Sequence, residues 1–199
     1  MNQRDLLLAS QNVGKLDEMR QLIEGLPFRV LGPRELGIHD APEETGTTFA
    51  ENAALKARHY SKRSGLLAVA DDSGISVEAL NGEPGLFSSR FGGPGANDAD
   101  RNRLLLAKLA GLPPEKRGAR FTSSVALAQA DALLFEVTEA VEGRIAEEPR
   151  GSNGFGYDPI FFYPPFGRTF GEVAPEQKDR VSHRGKAFAR LREFLAGLS

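Results

Sequence analysis

Leu6-Leu7-Leu8-Ala9-Ser10-Gln11-Asn12-Val13-Gly14-Lys15 is the stretch on which the fold class turns. Four apolar residues in a row make a short buried strand, and a small polar loop follows. Leu16, Met19, Leu22, Ile23 and Leu26 then recur at helical spacing. Strand, loop and helix in this order open an α/β unit. Further along, Phe28 to Leu31 supplies a second strand. Thr48-Phe-Ala-Glu51 has the capping-box spacing ahead of a long helix that fades near Ser64-Gly65. Leu66 to Ala70 reads as a third buried strand ending in Asp71-Asp72-Ser73-Gly74, and a separate short strand, Ile75 to Leu80, is expected before the turn Asn81-Gly82.

Residues 82–99, rich in glycine and proline but carrying Arg90 and Phe91, read as an exposed functional loop. Arg101 to Leu109 returns to helix. Ala119 to Ala130 and Leu133 to Glu142 flank Asp131-Ala132 as an antiparallel hairpin, and Ile160 to Tyr163 is the last expected strand. Ser182 is placed to cap a closing helix whose Ala187, Phe188, Leu191, Phe194 and Leu195 form one apolar stripe. Parallel-type units first and a hairpin later predict an α/β fold, a mixed sheet flanked by helices.

Composition narrows the function. A chain of 199 residues can bury a core without covalent staples, and we expect one domain over residues 1–199. No apolar run approaches the roughly 20 residues that cross a bilayer, so a membrane partner is not expected. Twenty-five Lys and Arg against twenty-seven Asp and Glu leave a net charge of −2, which does not advertise the general attraction that governs nucleic-acid binding. A polyanionic ligand must therefore be met by a local pocket. The chain has no cysteine, and Met1-Asn-Gln-Arg-Asp5 does not read as a secretory leader, so the expected location is cytoplasmic.

Chemistry-bearing residues gather at the ends of expected elements. Ser10, Asn12, Gly14 and Lys15 lie where backbone N–H groups and a positive helix end can receive an anion, although the Gly-x4-Gly-Lys-Ser/Thr phosphate loop is absent and a capped helix with a solvated lysine would use the same residues. Asp71 and Asp72 follow a buried strand, with Glu43 and Glu44 in an earlier loop; hard oxygen donors from separate segments suit Mg²⁺ shared with phosphate oxygens. Paired aspartates also serve as turn formers, but pleating sends two neighbours to opposite faces, so a turn accounts poorly for both. Gly151-Ser-Asn-Gly-Phe-Gly-Tyr-Asp-Pro159 combines close-approach glycines with aromatic faces suited to a nucleobase, against the alternative of a glycine-rich hairpin around a buried aromatic. Lys178 and Ser182-His183-Arg184 add cations near the closing helix.

In this order the clusters resemble the inosine triphosphate pyrophosphatase family, enzymes that hydrolyse non-canonical purine nucleoside triphosphates. The matching segments are Ser10 to Lys15, Glu43 to Asn52, Ala70 to Gly74, Gly85 to Arg90, Gly154 to Pro159 and Ser182 to Arg184, and they span nearly the whole chain. The resemblance implies an elongated mixed sheet with two lobes and a nucleotide cleft between them, Mg²⁺ dependence and a homodimer. It implies triphosphate contacts from Ser10, Gln11, Asn12, Val13, Gly14, Lys15 and Lys56, and Mg²⁺ ligation by Glu43 and Asp72. Asp72 would also be the general base, with Ser73 touching substrate, while Phe155, Gly156, Tyr157, Asp158, Lys178, His183 and Arg184 would surround base and sugar; because metal binding lowers a carboxylate's basicity, Asp71 stays the alternative base. Arg184 is expected to choose among purines. Ser10 stands where threonine is commoner in the family and keeps the hydroxyl. Two other readings stay open: a general nucleotide phosphatase, which would release orthophosphate, and a non-catalytic nucleotide sensor, which would need neither aspartate.

Overall fold

In the computed structural model, which describes residues 4–198, seven strands form one mixed sheet. They are β1 (Arg4–Leu8), β2 (Phe28–Leu31), β3 (Leu67–Val77), β4 (Gly118–Gln129), β5 (Ala132–Ile145), β6 (Phe161–Tyr163) and β7 (Arg168–Thr169), in the spatial order β2-β1-β3-β4-β5-β6-β7. The helices are α1 (Val13–Leu22), α2 (Phe49–Ser64), α3 (Asp98–Lys108), α4 (Pro175–Asp179) and α5 (His183–Ala196). β1 is parallel to β2, with Leu6 opposite Val30, and parallel to β3, with Leu7 opposite Ala68. Parallel neighbours need crossover connections, and α1 and α2 lie in them. β6 is antiparallel to both β5 and β7.

The chain divides into two units. The first holds the residues up to Asp72, Ser123–Glu139 and those from Arg184 onward; the second holds Ser73–Thr122 and Ala140–His183. In the first unit the two-residue period of the strands sorts the core. Leu6, Leu8, Leu67, Val69, Val125 and Leu127 pack with Met19 and Ile23 beside α1 and with Ala187, Phe188, Leu191 and Leu195 of α5. Their immediate neighbours Leu7, Ala9, Ala68, Ala70, Ala126 and Ala128 pack with Ala53, Ala54, Ala57 and Tyr60 of α2. One sheet face therefore belongs to α1 and α5 and the other to α2, where alanine meets alanine and the helix can sit close. The second unit has its own core, in which Leu105 of α3 and Leu109 at its C-cap join Ile75, Val77, Phe121, Tyr157, Phe161 and Phe170.

Local signals explain the element ends. Thr48 accepts the Glu51 N–H while the Glu51 carboxylate accepts the Thr48 N–H, closing the capping box, and α2 stops at Gly65 with φ +73°. Ala130 and Asp131 alone connect β4 to β5, and the Ala130 N–H donates to Ser61 Oγ at 2.7 Å. The expected break at Asp71-Asp72-Ser73-Gly74 is absent: β3 runs unbroken through it. Those aspartates bond to side chains from other elements instead of capping their own backbone, so no turn forms. β7 and α4, of two and five residues, were not anticipated because such lengths carry no periodicity.

Candidate active site

The same alternation decides what the two aspartates meet. Val69 faces α1 and α5, so Asp71 does as well; Ala70 faces α2, and so does Asp72. Asp71 is completely enclosed. Its Oδ2 lies 2.8 Å from Lys15 Nζ and 3.2 Å from an Arg184 terminal nitrogen, and its Oδ1 accepts from Ser123 Oγ at 2.5 Å. Burial opposes its charge, yet Arg184 and Lys15, with the Lys15 and Ser123 hydrogen bonds, outweigh burial and hold the carboxyl well below the usual range. On the other face, Asp72 Oδ1 accepts from Lys56 Nζ at 2.6 Å. Here burial prevails over the attraction of Lys56 and Lys15, with Glu44 adding repulsion, and the Asp72 carboxyl is raised. Two sequence neighbours thus differ in kind: one a locked anion, the other a carboxylate with an increased appetite for a proton.

The lysines respond in opposite directions. Lys15 is lowered, because burial and the nearby Lys56 and Arg184 charges outweigh the attraction of Asp71. For Lys56 burial also opposes the charge, but Asp72 and Glu44 overcome it and the ammonium is raised. Lys56 additionally donates to Glu44 Oε1 at 3.1 Å and to the Asp71 carbonyl at 3.0 Å.

The loop before α1 holds itself in shape. Ser10 Oγ accepts the Asn12 N–H at 3.2 Å, and Asn12 Oδ1 accepts the Lys15 N–H at 3.0 Å as the N-cap. Gln11 Nε2 donates to the His39 carbonyl at 2.9 Å. Gln11, Asn12 and Val13 are exposed while Gly14 is half-buried. The capped-helix reading is therefore right about Asn12, whereas Lys15 is paired with a buried aspartate and not simply solvated. Arg184 is buried, with one terminal nitrogen 2.6 Å from Glu18 Oε2 and the other on Asp71. That places its charge among α1 and β3 residues of the first unit, whereas the sequence reading gave it to the purine. Glu18 escaped that reading although it sits between Lys15 and Leu22 on the helix stripe that carries Met19, where a charged residue signals a buried partner.

In the second unit Phe155 is half-buried and Lys178 Nζ lies 5.2 Å from its ring centroid. Lys178 also donates to Asp158 Oδ2 at 2.7 Å, and the same oxygen accepts the Phe155 N–H at 3.0 Å. Gly154 is required here: its φ is +73°, and a Cβ would stand 2.0 Å from that Asp158 oxygen. The Tyr157 ring belongs to the core and its hydroxyl donates to the Ser88 carbonyl at 2.8 Å; burial raises its pKa strongly. Tyr157 thus anchors the segment, leaving Phe155 as the accessible ring. His183 is buried and stacked on Phe121 at 4.7 Å between centroids. Ser73 is half-buried on β3.

Among the described residues no group of three or more His, Cys, Asp or Glu is gathered as a metal cage. Of the two loop glutamates, Glu44 joins the cluster through Lys56, whereas Glu43 is exposed and makes none of these contacts. Asp72 with Glu44 is a hard-oxygen donor pair, which suits Mg²⁺, an ion commonly held by one or two carboxylates together with substrate phosphates and water.

Known proteins similar to this chain cover almost its whole length. The model of the Ham1 family matches residues 6–194. A dITP/XTP pyrophosphatase from Xanthomonas oryzae pv. oryzae is 46% identical over 198 residues, covering 98% of this chain and 99% of that protein. One from Coxiella burnetii is 45% identical, covering 96% of each. Among solved structures, a HAM1 protein from Coxiella burnetii superposes with a TM-score of 0.87 at 44% identity, covering 98% of this chain and 99% of that one. The Ham1 protein of Staphylococcus aureus gives 0.85 at 36% identity, covering 98% and 100%. With both the sequence match and the superposition running almost from end to end, this chain belongs to the Ham1 family.

Proposed function

We propose that this chain hydrolyses non-canonical purine nucleoside triphosphates, dITP, ITP and XTP, to the nucleoside monophosphate and pyrophosphate, clearing deaminated purines from the nucleotide pool. The observation that carries the reading is the pair of unlike aspartates on β3, each facing its own lysine. The names of the relatives, dITP/XTP pyrophosphatase, point to the same reaction.

In this reading Lys15, Lys56 and the positive end of α1, with the Ser10 to Gly14 loop, receive the triphosphate. Water attacks the α-phosphorus, the bond to the bridging oxygen breaks, and the electron pair leaves with pyrophosphate. Lysines on the phosphates stabilise that growing charge. Asp72, on the β3 face that carries Lys56, orients the water and takes its proton. Asp71 and Arg184 do not touch the reacting atoms; Asp71, itself held by Arg184, fixes Lys15 from behind. Mg²⁺, when bound, neutralises phosphate charge and polarises the phosphoryl oxygens. Its protein ligands in this proposal are Asp72 and Glu44, the latter replacing the Glu43 of the sequence reading.

Phe155 offers a ring face to the purine, and Lys178, beside it, is a donor for the 6-oxo group that adenine lacks. Ser73 and His183 remain candidate substrate contacts. A cytoplasmic homodimer is part of the same proposal, checked by light scattering and cell fractionation. The test of function is a panel of dITP, XTP, dGTP, dATP and pyrimidine triphosphates with Mg²⁺, separating pyrophosphate from orthophosphate. Orthophosphate release would favour a general phosphatase; binding without turnover would favour a sensor.

A further inference from the structure

We propose that Asp98 and Asn102, at the start of α3, are positioning residues that clamp the Gly156 backbone and thereby fix the ring of Phe155 for purine recognition. The argument starts from helix geometry. Asn97 caps α3, with its side chain accepting the Asp100 N–H, so Asp98 is the first helical residue and Asn102 lies one turn later on the same face. That face continues through Leu105 and Leu109, both fully buried in the core of the second unit. Its first turn therefore presents polar groups where the rest of the stripe is apolar.

Those groups grip both main-chain groups of one residue, and so two successive peptide units. Asp98 Oδ2 accepts the Gly156 N–H at 2.7 Å, and Asn102 Nδ2 donates to the Gly156 carbonyl at 3.0 Å. Gly156 has φ +61°, so its own backbone preference alone does not hold this left-handed geometry. Asp98 is in turn oriented by Arg101, 2.7 Å from its other oxygen, and Arg101 also donates to the Ser89 and Ala96 carbonyls. On either side of Gly156, the Phe155 N–H is tied to Asp158 and the Tyr157 hydroxyl to Ser88. The backbone that carries the half-buried Phe155 ring is thus fixed from both directions.

Asn102 shows a further sign of selection for position over stability. It is 5% exposed, and among the described residues its Oδ1 has no hydrogen-bond partner. A buried acceptor left without a partner is costly, yet a side chain without a donor could not hold the Gly156 carbonyl.

The inference rests on the proposed purine triphosphate pyrophosphatase reading, and the experiment keeps the two apart. Asp98→Ala and Asn102→Ala are each expected to raise KM for dITP about tenfold, the scale of one lost hydrogen bond to a positioned group, with kcat moved less than about threefold. Inhibition by tripolyphosphate, which has no base, should stay within about twofold of wild type. Asp98→Asn loses the Arg101 ion pair but keeps an acceptor for the Gly156 N–H, and it should recover most of the KM. Independently of any activity, amide hydrogen exchange of residues 154–158 should accelerate at least about tenfold in both alanine variants. Because the Asp98 side chain is 46% exposed, that variant is expected to fold even where Asn102→Ala does not. Unchanged exchange, unchanged KM, or tripolyphosphate inhibition lost in parallel with dITP would each overturn the clamp. A wild-type protein inactive on dITP and XTP would sink the functional reading instead, and the exchange experiment would still decide whether the clamp exists.

Discussion

Exchanging each of the two adjacent aspartates for asparagine separates a structural carboxylate from a chemical one. Asp71→Asn keeps the volume and an acceptor for Ser123, but it removes the charge facing Lys15 at 2.8 Å and Arg184 at 3.2 Å. Breaking a buried ion pair from one side costs about 3–5 kcal/mol. Arg184 retains Glu18, and the Lys15 side chain is 17% exposed, so the lower end, about 3 kcal/mol, is expected. For a chain of this length that is a fall in Tm of about 6–12 °C. Asp72→Asn leaves Lys56 with Glu44 and the Asp71 carbonyl, so its stability cost should stay below about 2 kcal/mol. Its kcat should nevertheless fall at least about a hundredfold. Urea denaturation of both variants and steady-state pyrophosphate release from dITP with Mg²⁺ supply the two axes. Near-normal turnover in Asp72→Asn, or unchanged stability in Asp71→Asn, would refute the division of labour.

Lys15→Ala should raise KM and lower kcat for every triphosphate alike, with a smaller effect on a diphosphate; a shift in base preference would place this lysine elsewhere. Gly154→Ala puts a methyl 2.0 Å from Asp158 Oδ2 at a φ of +73°, so the Asp158–Lys178 pair must move. KM for purine triphosphates should rise at least about tenfold, at a stability cost of roughly 1–3 kcal/mol, and an unaltered KM would remove Asp158 from the recognition frame. Glu51 is lowered, first by the Thr47 backbone hydrogen bond and then by the Thr47 hydroxyl. A carboxyl lowered on folding adds stability above its unfolded value and loses that contribution as the pH falls through its folded value. Glu51→Gln should therefore cost stability at pH 7 and progressively less as the pH falls from about 5 towards 3, which urea midpoints across that range will show.

Much of the fold was legible because it is carried by periodicity. The strand expected at Leu6 to Ala9, the helix stripe after Lys15 and the Thr48 to Glu51 cap need only local sequence; the strand is found at Arg4–Leu8, the helix at Val13–Leu22, stopping short of Leu26, and the cap at Thr48. Asp71 to Gly74 misled for a reason equally physical: residues that form turns in isolation stay in a strand when Lys15, Lys56, Ser123 and Arg184 bond to their carboxylates. No local pattern announces partners so distant in sequence. The same limit applies to Arg184, whose placement at the start of α5 was visible while its commitment to Glu18 and Asp71 was not. Asp98 and Asn102 belong with it, since an aspartate is ordinary at a helix start and Asn102 has the character of a surface amide until Gly156 is placed beside it.

The most direct measurement is the fate of oxygen and phosphate in one reaction: dITP and Mg²⁺ with the wild-type protein in ¹⁸O-enriched water, read by ³¹P NMR and mass spectrometry. The account predicts dIMP and pyrophosphate in equal amounts, with the label in the monophosphate because water attacks the α-phosphorus. Orthophosphate as the first product, label in the pyrophosphate, or bound dITP that never turns over would contradict it.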